Sequence, residues 1–367
     1  MIDHTGSELQ RNSHYGLGAS HRYRDRFKLA RIRDMLKSKE KSVRLSLRSA
    51  RFMVAVLILL CGGAAVGQNY PLRPIRVIVP YPPGGSPDVL TRGFGERLQA
   101  SLGQPVVVEN KPGAGTLLAA EYVAKSPPDG YTMMLATSTA FGISPNVSST
   151  WSVDPVKDFT FLGLIGWSDF FLVVNPAFPA NNLKDLINLV QKDPGKFNYA
   201  SVGIGTTHHL FMEILKSVVH LDIVHVPYKG SVAALPDLMT DKVQMMFLDY
   251  SVAVPNIRAG KLKAIGTSRA AQNTLFASIV PIASTIPDYD WAGWQGIAGP
   301  AAVPRPIVIR VADVIRNYQS SREYLDLMNT TGMVPSKPMS QEELSGFLKA
   351  EFQRWGAAIK ASGAKFE

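Results

Sequence analysis

The feature that constrains the fold most is a repeated junction: an apolar run ends in a glycine-rich turn, and an amphipathic run follows. It occurs in Val79–Arg92, in Asn110–Thr116 and in Ser201–His209. Glycine lets a strand turn sharply into a helix, and the N–H groups at the helix start favour an anion. One such turn is equally compatible with a plain strand-to-helix connection. Three together predict a cleft lined with N–H donors and hydroxyl groups.

Apolar runs of strand length alternate with amphipathic runs along residues 70–362. The predicted strands are Ile75–Pro80, Val106–Glu109, Thr132–Thr137, Phe170–Val174, Phe197–Ser201, Ile223–Pro227, Val243–Leu248 and Leu262–Thr267. The predicted helices are Asp88–Leu102, Thr116–Lys125, Leu183–Asp193, Thr207–Val219, Ser231–Thr240, Pro306–Gln319 and Gln341–Lys360. This alternation predicts an α/β protein with parallel sheets.

The strands fall into two groups, which predicts two lobes. A later strand-like run, Trp291–Ala298, is expected to return to the first group. We therefore expect lobe 1 to comprise residues 68–168 and 290–367, and lobe 2 to comprise residues 169–289. Ligands of open α/β sheets bind at the carboxyl ends of the strands, so the ligand cleft is expected between the lobes.

The positive charge is concentrated at the N-terminus. The net charge is +10, but residues 1–67 hold 13 Lys+Arg against 5 Asp+Glu. The remaining 300 residues hold 26 Lys+Arg against 24 Asp+Glu and are nearly neutral. A nucleic-acid partner is therefore not expected, because phosphate binding needs a basic surface.

Residues 1–67 are interpreted as an N-terminal extension that contains a signal segment. A basic stretch precedes the apolar run Phe52–Gly67, which ends in small residues, as in secretory signals. Cleavage is expected before Gln68, with Met35 as an alternative start and an uncleaved anchor helix as the competing interpretation. The only cysteine, Cys61, lies in the apolar run, so a lipoprotein anchor is a second alternative. The expected location is the periplasm.

The motifs of several enzyme classes are absent from the sequence. There is no Walker A loop, dinucleotide fingerprint or G-x-S-x-G elbow. His208 and His209 are adjacent on a predicted helix and point about 100° apart, so they cannot easily chelate one metal ion. His209 and Glu213 could share a ligand, but no third group has metal-site spacing. We therefore expect no enzyme activity, no metal and no cofactor.

Eight short segments in order along the mature region resemble one known family. They are Tyr70–Arg76, Pro83–Asp88, Gly103–Gly115, Pro128–Thr132, Asp154–Phe159, Gly205–Leu210, His225–Ser231 and Ile257–Leu262. Together they are similar to the Bug family, the TctC-like extracytoplasmic solute receptors of tripartite tricarboxylate transporters. No single segment is decisive, but eight in order over about 300 residues are highly specific.

The resemblance implies a two-lobed, type II periplasmic-binding-protein fold that closes on a small carboxylate. It also implies membrane permease subunits as partners. Transferred to this sequence, the expected ligand-binding residues are Gly84, Gly85, Ser86, Asp88, Thr137, Ser138, Gly203, Gly205, Thr206, His209, Tyr228 and Asp249. Two other functions stay open: presenting the ligand to a membrane sensor kinase and, less favoured, acting as a secreted hydrolase that uses His209.

The sequence departs from the family pattern at several positions near the predicted site. Leu117, Pro87 and His208 replace residues that are usually small or polar, and Trp294 stands close to a further tryptophan, Trp291. A more apolar pocket follows from Leu117 and the extra tryptophan. The resulting hypothesis is an aromatic or branched carboxylate in place of a tricarboxylate.

Overall fold

The computed structural model describes Met35 and residues 70–273 and 276–363. From Gly67 onward the chain forms one compact unit. The predicted signal segment, its cleavage site before Gln68 and the alternative lipidation site Cys61 lie outside the described residues. None of the helices in the described ranges is both long and apolar enough to cross a bilayer.

Two mixed sheets form the framework of the described residues. The strands are β1 (Ile75–Val79), β2 (Val106–Asn110), β3 (Thr132–Thr137), β4 (Phe159–Ser168), β5 (Phe170–Val174), β6 (Phe197–Ser201), β7 (Ile223–Pro227), β8 (Met245–Asp249), β9 (Lys263–Thr267), β10 (Gly293–Pro300) and β11 (Met333–Pro335). One sheet has the order β11-β4-β10-β3-β1-β2, and the other has the order β7-β6-β8-β5-β9. Each sheet is the centre of one lobe.

Ten α-helices cover the faces of these sheets in the described part of the chain. They are α1 (Ser86–Leu102), α2 (Leu117–Ala124), α3 (Ser144–Val147), α4 (Leu183–Lys192), α5 (Thr207–Val219), α6 (Ser231–Met239), α7 (Tyr250–Arg258), α8 (Arg305–Gln319), α9 (Arg322–Thr331) and α10 (Gln341–Ser362). Val77 and Val79 of β1 point into one core cluster and Ile78 into another. Because both faces are covered, residues 77–79 form a continuous apolar run.

The prediction of parallel sheets is confirmed for only part of each sheet: β1 pairs in parallel with β2 and β3, and β6 pairs in parallel with β7 and β8. Strand β10 runs antiparallel to both β3 and β4, and β5 runs antiparallel to both β8 and β9. The physical reason is the passage between the lobes. Strand β5 follows β4 of the other sheet with only Asp169 between them, and β10 returns to the first sheet from the second lobe. Neither strand is joined to its sheet neighbours by a single helical crossover, the connection that parallel neighbours require.

The passage between the lobes is fixed by buried polar groups. Asp169 is almost fully buried, and its carboxylate contacts the Arg269 guanidinium at 3.3 Å and the Asn273 amide at 2.8 Å. Burial raises the pKa of Asp169, although the contacts with Arg269 and Asn273 oppose the shift. Arg269 follows β9, at the end of the five-stranded sheet, so one pair ties together the points where the chain enters and leaves that sheet.

Helix α10 contacts both lobes. Its Phe347 packs against Trp294 of β10, and its Trp355 stacks on Phe211 of α5, with ring centroids 5.3 and 6.0 Å apart. Between them, the Glu351 carboxylate accepts hydrogen bonds from the indole N–H groups of Trp294 and Trp355 at 2.8 and 3.0 Å. The helix therefore acts as a brace across the back of the molecule.

We expect Ser340→Ala to cost about 1 kcal/mol of unfolding free energy. The Ser340 hydroxyl accepts the Glu343 N–H, and the Glu343 carboxylate accepts the Ser340 N–H, so α10 opens with a complete capping box. Ser345→Ala, in the exposed first turns of the same helix, is the matched control. Urea unfolding checks the difference, and equal midpoints for the two variants would contradict it.

Candidate functional site

A cleft of about 870 Å³ lies between strand ends of both sheets. Loops after β1 and β3 form one wall, and loops after β6, β7 and β8 form the other. Eight of the twelve predicted ligand-binding residues line it: Gly85, Ser86, Thr137, Ser138, Gly203, Thr206, Tyr228 and Asp249. The other four, Gly84, Asp88, Gly205 and His209, are not among the lining residues. The volume lies in the range of small-molecule sites, roughly 300–1,000 Å³.

The loop after β1 turns Asp88 away from the cleft. Its carboxylate accepts the Gly84 N–H at 3.1 Å, the Asn110 amide at 2.9 Å and the Arg92 guanidinium at 2.9 Å. Burial alone would raise the pKa of Asp88, but the hydrogen bonds from Arg92, Asn110 and Gly84 outweigh it and lower the pKa. Asp88 therefore holds the loop in shape and leaves Gly85 and Ser86 at the cleft.

The loop after β3 joins the two walls. The Tyr81 hydroxyl lies 3.2 Å from the Thr137 hydroxyl on the first wall. The hydroxyls of Ser138 and Thr139 lie 3.3 and 2.8 Å from the Thr207 hydroxyl at the start of α5. These contacts cross from the six-stranded to the five-stranded sheet, so the cleft is closed on this side.

The loop after β6 presents Gly203 and Thr206 to the cleft. Gly203 has φ +127°, a backbone conformation that residues other than glycine rarely adopt. Its N–H donates a hydrogen bond to the Ser201 hydroxyl at 3.0 Å. The Thr206 hydroxyl donates to the Gly203 carbonyl at 2.7 Å. Gly205 faces the opposite way, because a Cβ at this residue would come within 2.7 Å of Val147.

The two adjacent histidines of α5 have different surroundings. His209 is buried, and its ring stacks on His225 with centroids 3.9 Å apart and an interplanar angle of 10°. Its Nδ1 accepts the Gly205 N–H at 3.2 Å, so this ring supports the loop from behind. Burial, with His225 and Lys216 nearby, lowers the pKa of His209 to about 3. The histidine at the cleft is His208, which the sequence analysis did not include in the ligand set.

A second polar cluster surrounds Asp249 at the end of β8. Its Oδ1 lies 3.2 and 2.9 Å from the Ser86 and Ser251 hydroxyls, and its Oδ2 lies 2.8 Å from the Ser231 hydroxyl. His208 Nε2 is 3.7 Å from Oδ2 and makes no hydrogen bond within the described residues. Burial alone would raise the pKa of Asp249, but the neighbouring His208, Ser231 and Ser251 lower it.

The walls of the cleft are largely apolar. Tyr81, Phe170 and Trp294 contribute rings, and a series of prolines completes the first wall: Pro80, Pro82, Pro83, Pro87 and Pro112. Leu117 does not line the cleft, since it packs into the core behind it. Trp291 is also outside the lining and packs on Trp355 at 5.1 Å. The apolar character of the cleft therefore comes from these rings and prolines and not from Leu117 or Trp291.

No metal centre is present in the part of the chain that the structure describes: no three His, Cys, Asp or Glu side chains come together there. The cleft offers a different kind of anion site. Four helices begin at it, α1, α5, α6 and α7, and none of them has its first turn capped by its N-cap side chain. Among the helices that begin elsewhere, α4, α9 and α10 are capped by Asn182, Ser321 and Ser340, whereas α3 and α8 have no side-chain cap either. The Thr207 N–H at the start of α5 donates to the Thr139 hydroxyl at 3.2 Å. The other N–H groups at these helix starts and the helix dipoles favour an anion in the cleft.

Two lobes, a cleft between them and helix N-termini that point into it define a solute-binding protein of the two-lobed class. The comparisons with known proteins agree with this class. Residues 90–364 match the model of the tripartite tricarboxylate transporter family receptor, TctC. This chain belongs to that family.

Relatives match over nearly their whole length. A UPF0065 protein of Bordetella pertussis is 33% identical over 318 residues, which cover 85% of this chain and 97% of that protein. Protein BugT of the same organism is 31% identical over 321 residues, which cover 86% of this chain and 98% of BugT.

Solved structures share the fold. The R. palustris protein Rpa4515, solved with adipate, is 29% identical with a TM-score of 0.77 over 80% of this chain and 99% of that chain. MatC (Rpa3494) from Rhodopseudomonas palustris, solved with bound malate, is 26% identical with a TM-score of 0.74 over 79% of this chain and all of that chain. The family and the fold are those of binding proteins.

Proposed function

We propose that this protein captures a small organic carboxylate in the periplasm and delivers it to the permease subunits of a tripartite tricarboxylate-type transporter. The observation that carries the proposal is the cleft into which the uncapped N-termini of α1, α5, α6 and α7 open. A carboxylate needs two or three donors, and helix N-termini provide them without a fixed cation. A site of this kind can also release its ligand. Two structural relatives that hold adipate and malate support the same ligand class.

The proposed binding residues follow from the cleft lining. The first lobe provides the backbone of Gly85 and Ser86 together with Thr137 and Ser138, and the second provides Gly203, Thr206 and Tyr228. His208 joins this set, and His209 moves from the ligand to the support of the loop. The proposed lobes remain residues 68–168 with 290–367 and residues 169–289. A sensor kinase as the recipient of the ligand is the alternative partner.

Native mass spectrometry of the protein purified from cells tests the proposal. We expect one small carboxylic acid per chain, which can then be released and identified. Thermal-shift measurements with a panel of carboxylates extend the test to protein that has lost its ligand. A protein that arrives empty and that no acid in the panel stabilises would refute carboxylate capture and leave the fold unaffected.

We expect Gly85→Asp to weaken carboxylate binding roughly 100-fold while leaving the fold slightly more stable. Gly85 is the N-cap of α1, with φ −86° and ψ 169°, a conformation that aspartate adopts easily, and a Cβ there meets only Pro87 at 3.5 Å. The new carboxylate would cap α1, a gain of about 0.5 kcal/mol. It would also repel a bound carboxylate by about 3 kcal/mol at an effective dielectric constant near 20.

Isothermal titration and thermal melting check the two effects together. Gly85→Asn is the matched control, because asparagine caps a helix about as well as aspartate but carries no charge. It should keep part of the affinity. If Gly85→Asp binds the acid as well as the unmodified protein does, the ligand does not lie at the start of α1.

A further inference from the structure

The junction between β8 and α7 contacts the opposite lobe through three consecutive residues. The Ser86 hydroxyl at the start of α1 lies 3.2 Å from Asp249 Oδ1 and 2.7 Å from the Ser251 hydroxyl. Between these two residues, the Tyr250 ring packs against Gly332 at the end of α9. Helices α1 and α9 pack on the six-stranded sheet, whereas β8 belongs to the five-stranded sheet. The junction is therefore a direct contact between the lobes.

The Asp249 carboxylate is held in place by its own lobe. Its Oδ2 accepts the Ser231 hydroxyl at 2.8 Å, its Oδ1 accepts the Ser251 hydroxyl at 2.9 Å, and His208 Nε2 lies 3.7 Å from Oδ2. Asp249 is only 8% exposed, so water has little access to these contacts. The five-stranded lobe thus presents an oxygen acceptor of fixed direction to Ser86 of the other lobe.

The group that Asp249 contacts is the start of a helix. Ser86 is the first residue of α1, and the N-cap residue Gly85 has no side chain that could cap the first turn. A carboxylate near a helix N-terminus is favourable, because it complements the helix dipole. Hydrogen bonds to an ionised carboxylate are also stronger than those between neutral groups. Asp249 therefore stabilises the start of α1 in this place, although it belongs to the opposite lobe.

This contact lies beside the passage of the chain between the lobes. In the five-stranded sheet Asp249 is paired with Phe170, which directly follows Asp169. Strand β7, by contrast, lies at the edge of that sheet, with β6 and β8 between it and β5. A rotation of one lobe about the passage moves the loop after β7 much farther than it moves Asp249. A contact at Asp249 consequently limits how far the cleft walls can separate at their far side.

We propose that Asp249 is a positioning residue: by holding Ser86 from the opposite lobe, it fixes the angle between the two walls of the cleft. The sequence analysis placed Asp249 among the ligand-binding residues, but its carboxylate is occupied by the hydroxyls of three serines. The positioning role goes beyond the proposed function, because it sets the geometry of the cleft without any ligand. Walls that are already at the correct angle lower the ordering cost of binding.

The distance between two spin labels, one on each lobe, measures this angle. Lys125 and Lys242 are exposed residues of the first and the second lobe, and Cys61 is the only cysteine of the chain. Lys125→Cys and Lys242→Cys in a Cys61→Ser background therefore give one labelling site per lobe. Pulsed electron spin resonance of the ligand-free protein should show one narrow distance distribution. Native mass spectrometry checks that the protein is empty.

Ser86→Ala and Ser231→Ala form a matched pair of variants. Each removes one hydroxyl that contacts the Asp249 carboxylate, and each replaces the first residue of a helix, but only Ser86 lies in the opposite lobe. Ser86→Ala should raise the ratio of long to short distances roughly 10-fold, and Ser231→Ala should leave it unchanged. Asp249→Ala should have at least the effect of Ser86→Ala. Asp249→Asn keeps an oxygen acceptor and should restore much of the narrow distribution.

Thermal melting of each variant separates a change of angle from a loss of folded structure. Unchanged distances in Ser86→Ala and Asp249→Ala would overturn the proposal, and so would an equal broadening in Ser231→Ala. The distance measurement uses no carboxylate, so its outcome is independent of the proposed function. A protein that binds no acid can still show the expected distances, and a protein that captures an acid can fail to show them.

Discussion

Gly332→Ala is expected to lower the melting temperature by about 10 °C and to abolish measurable carboxylate binding. Gly332 ends α9 with φ +67°, and a Cβ placed on it would lie 1.5 Å from Cγ of Tyr250, inside the ring. Tyr250 opens α7 on the five-stranded sheet and is buried, whereas Gly332 leads into β11 of the six-stranded sheet. An added methyl group must therefore separate the two lobes or displace the ring, at a cost of about 3 kcal/mol or more.

Gly103→Ala is a close control for this substitution. Gly103 ends α1 with φ +73°, but a Cβ there meets nothing within 4 Å. Gly103→Ala should therefore lower the free energy of unfolding through backbone strain alone, by about 1 kcal/mol. Thermal melting and titration with a carboxylate compare the two variants. Adding Tyr250→Ala to Gly332→Ala should recover part of the lost stability. Indistinguishable behaviour of the two glycine variants would mean that the lobes do not meet at Tyr250 in solution.

Acid is expected to destabilise the protein between pH 6.5 and pH 5 by about 2 to 3 kcal/mol. The source is the stack of the buried His209 on the half-buried His225, whose pKa values burial lowers to about 3 and about 4. Glu213 raises the pKa of His225, and Lys216 lowers both, while Tyr199 packs against the two rings. Below pH 6.5 the unfolded chain binds protons at these histidines and the folded protein does not. The free energy of unfolding therefore falls as the pH falls.

Urea unfolding at a series of pH values measures this slope. Replacing both His209 and His225 by glutamine should flatten it between pH 6.5 and pH 5, whereas His220→Asn, at an exposed helix end, should not. Carboxylates with lowered pKa values, such as Asp88 and Asp249, lose their contribution only as the pH falls below about 4. A flat profile in the unmodified protein down to pH 5 would contradict the assignment.

The sequence predicted most elements because their signals are local. Strand β3 and helix α5 have the predicted limits, since each combines a clear apolar pattern with a glycine-rich or threonine-rich boundary. Strand β4 was not predicted, because Gly163 and Gly166 interrupt it. Tertiary packing explains both glycines: a Cβ at Gly163 would meet Ile315 at 2.7 Å, and one at Gly166 would meet a backbone oxygen at 3.0 Å. Helix α7 was not predicted either; its Pro255 does not by itself explain this, because α6 contains Pro236 and was predicted.

For a similar reason, only part of the candidate site could be predicted from the sequence. The glycine-rich loops identified the cleft, since they carry their own sequence signal. Ser231 and Ser251 carry no such sequence signal, because their hydroxyls contact Asp249 only in the folded protein. His208 and His209 are equivalent by sequence, and only the packing of His209 on His225 distinguishes them. The orientation of a side chain depends on the tertiary fold, which local pattern does not encode.

The position of β10 determines the order in which a growing chain can complete its lobes. All five strands of the second sheet have been made by Thr267, but β10, which joins β3 to β4 at the centre of the first sheet, follows later. Until Gly293–Pro300 emerges, β3 and β4 each present an apolar edge with no partner. The lobe that starts first therefore finishes last, and its open edges are where a nascent chain of this topology is most exposed to misassembly.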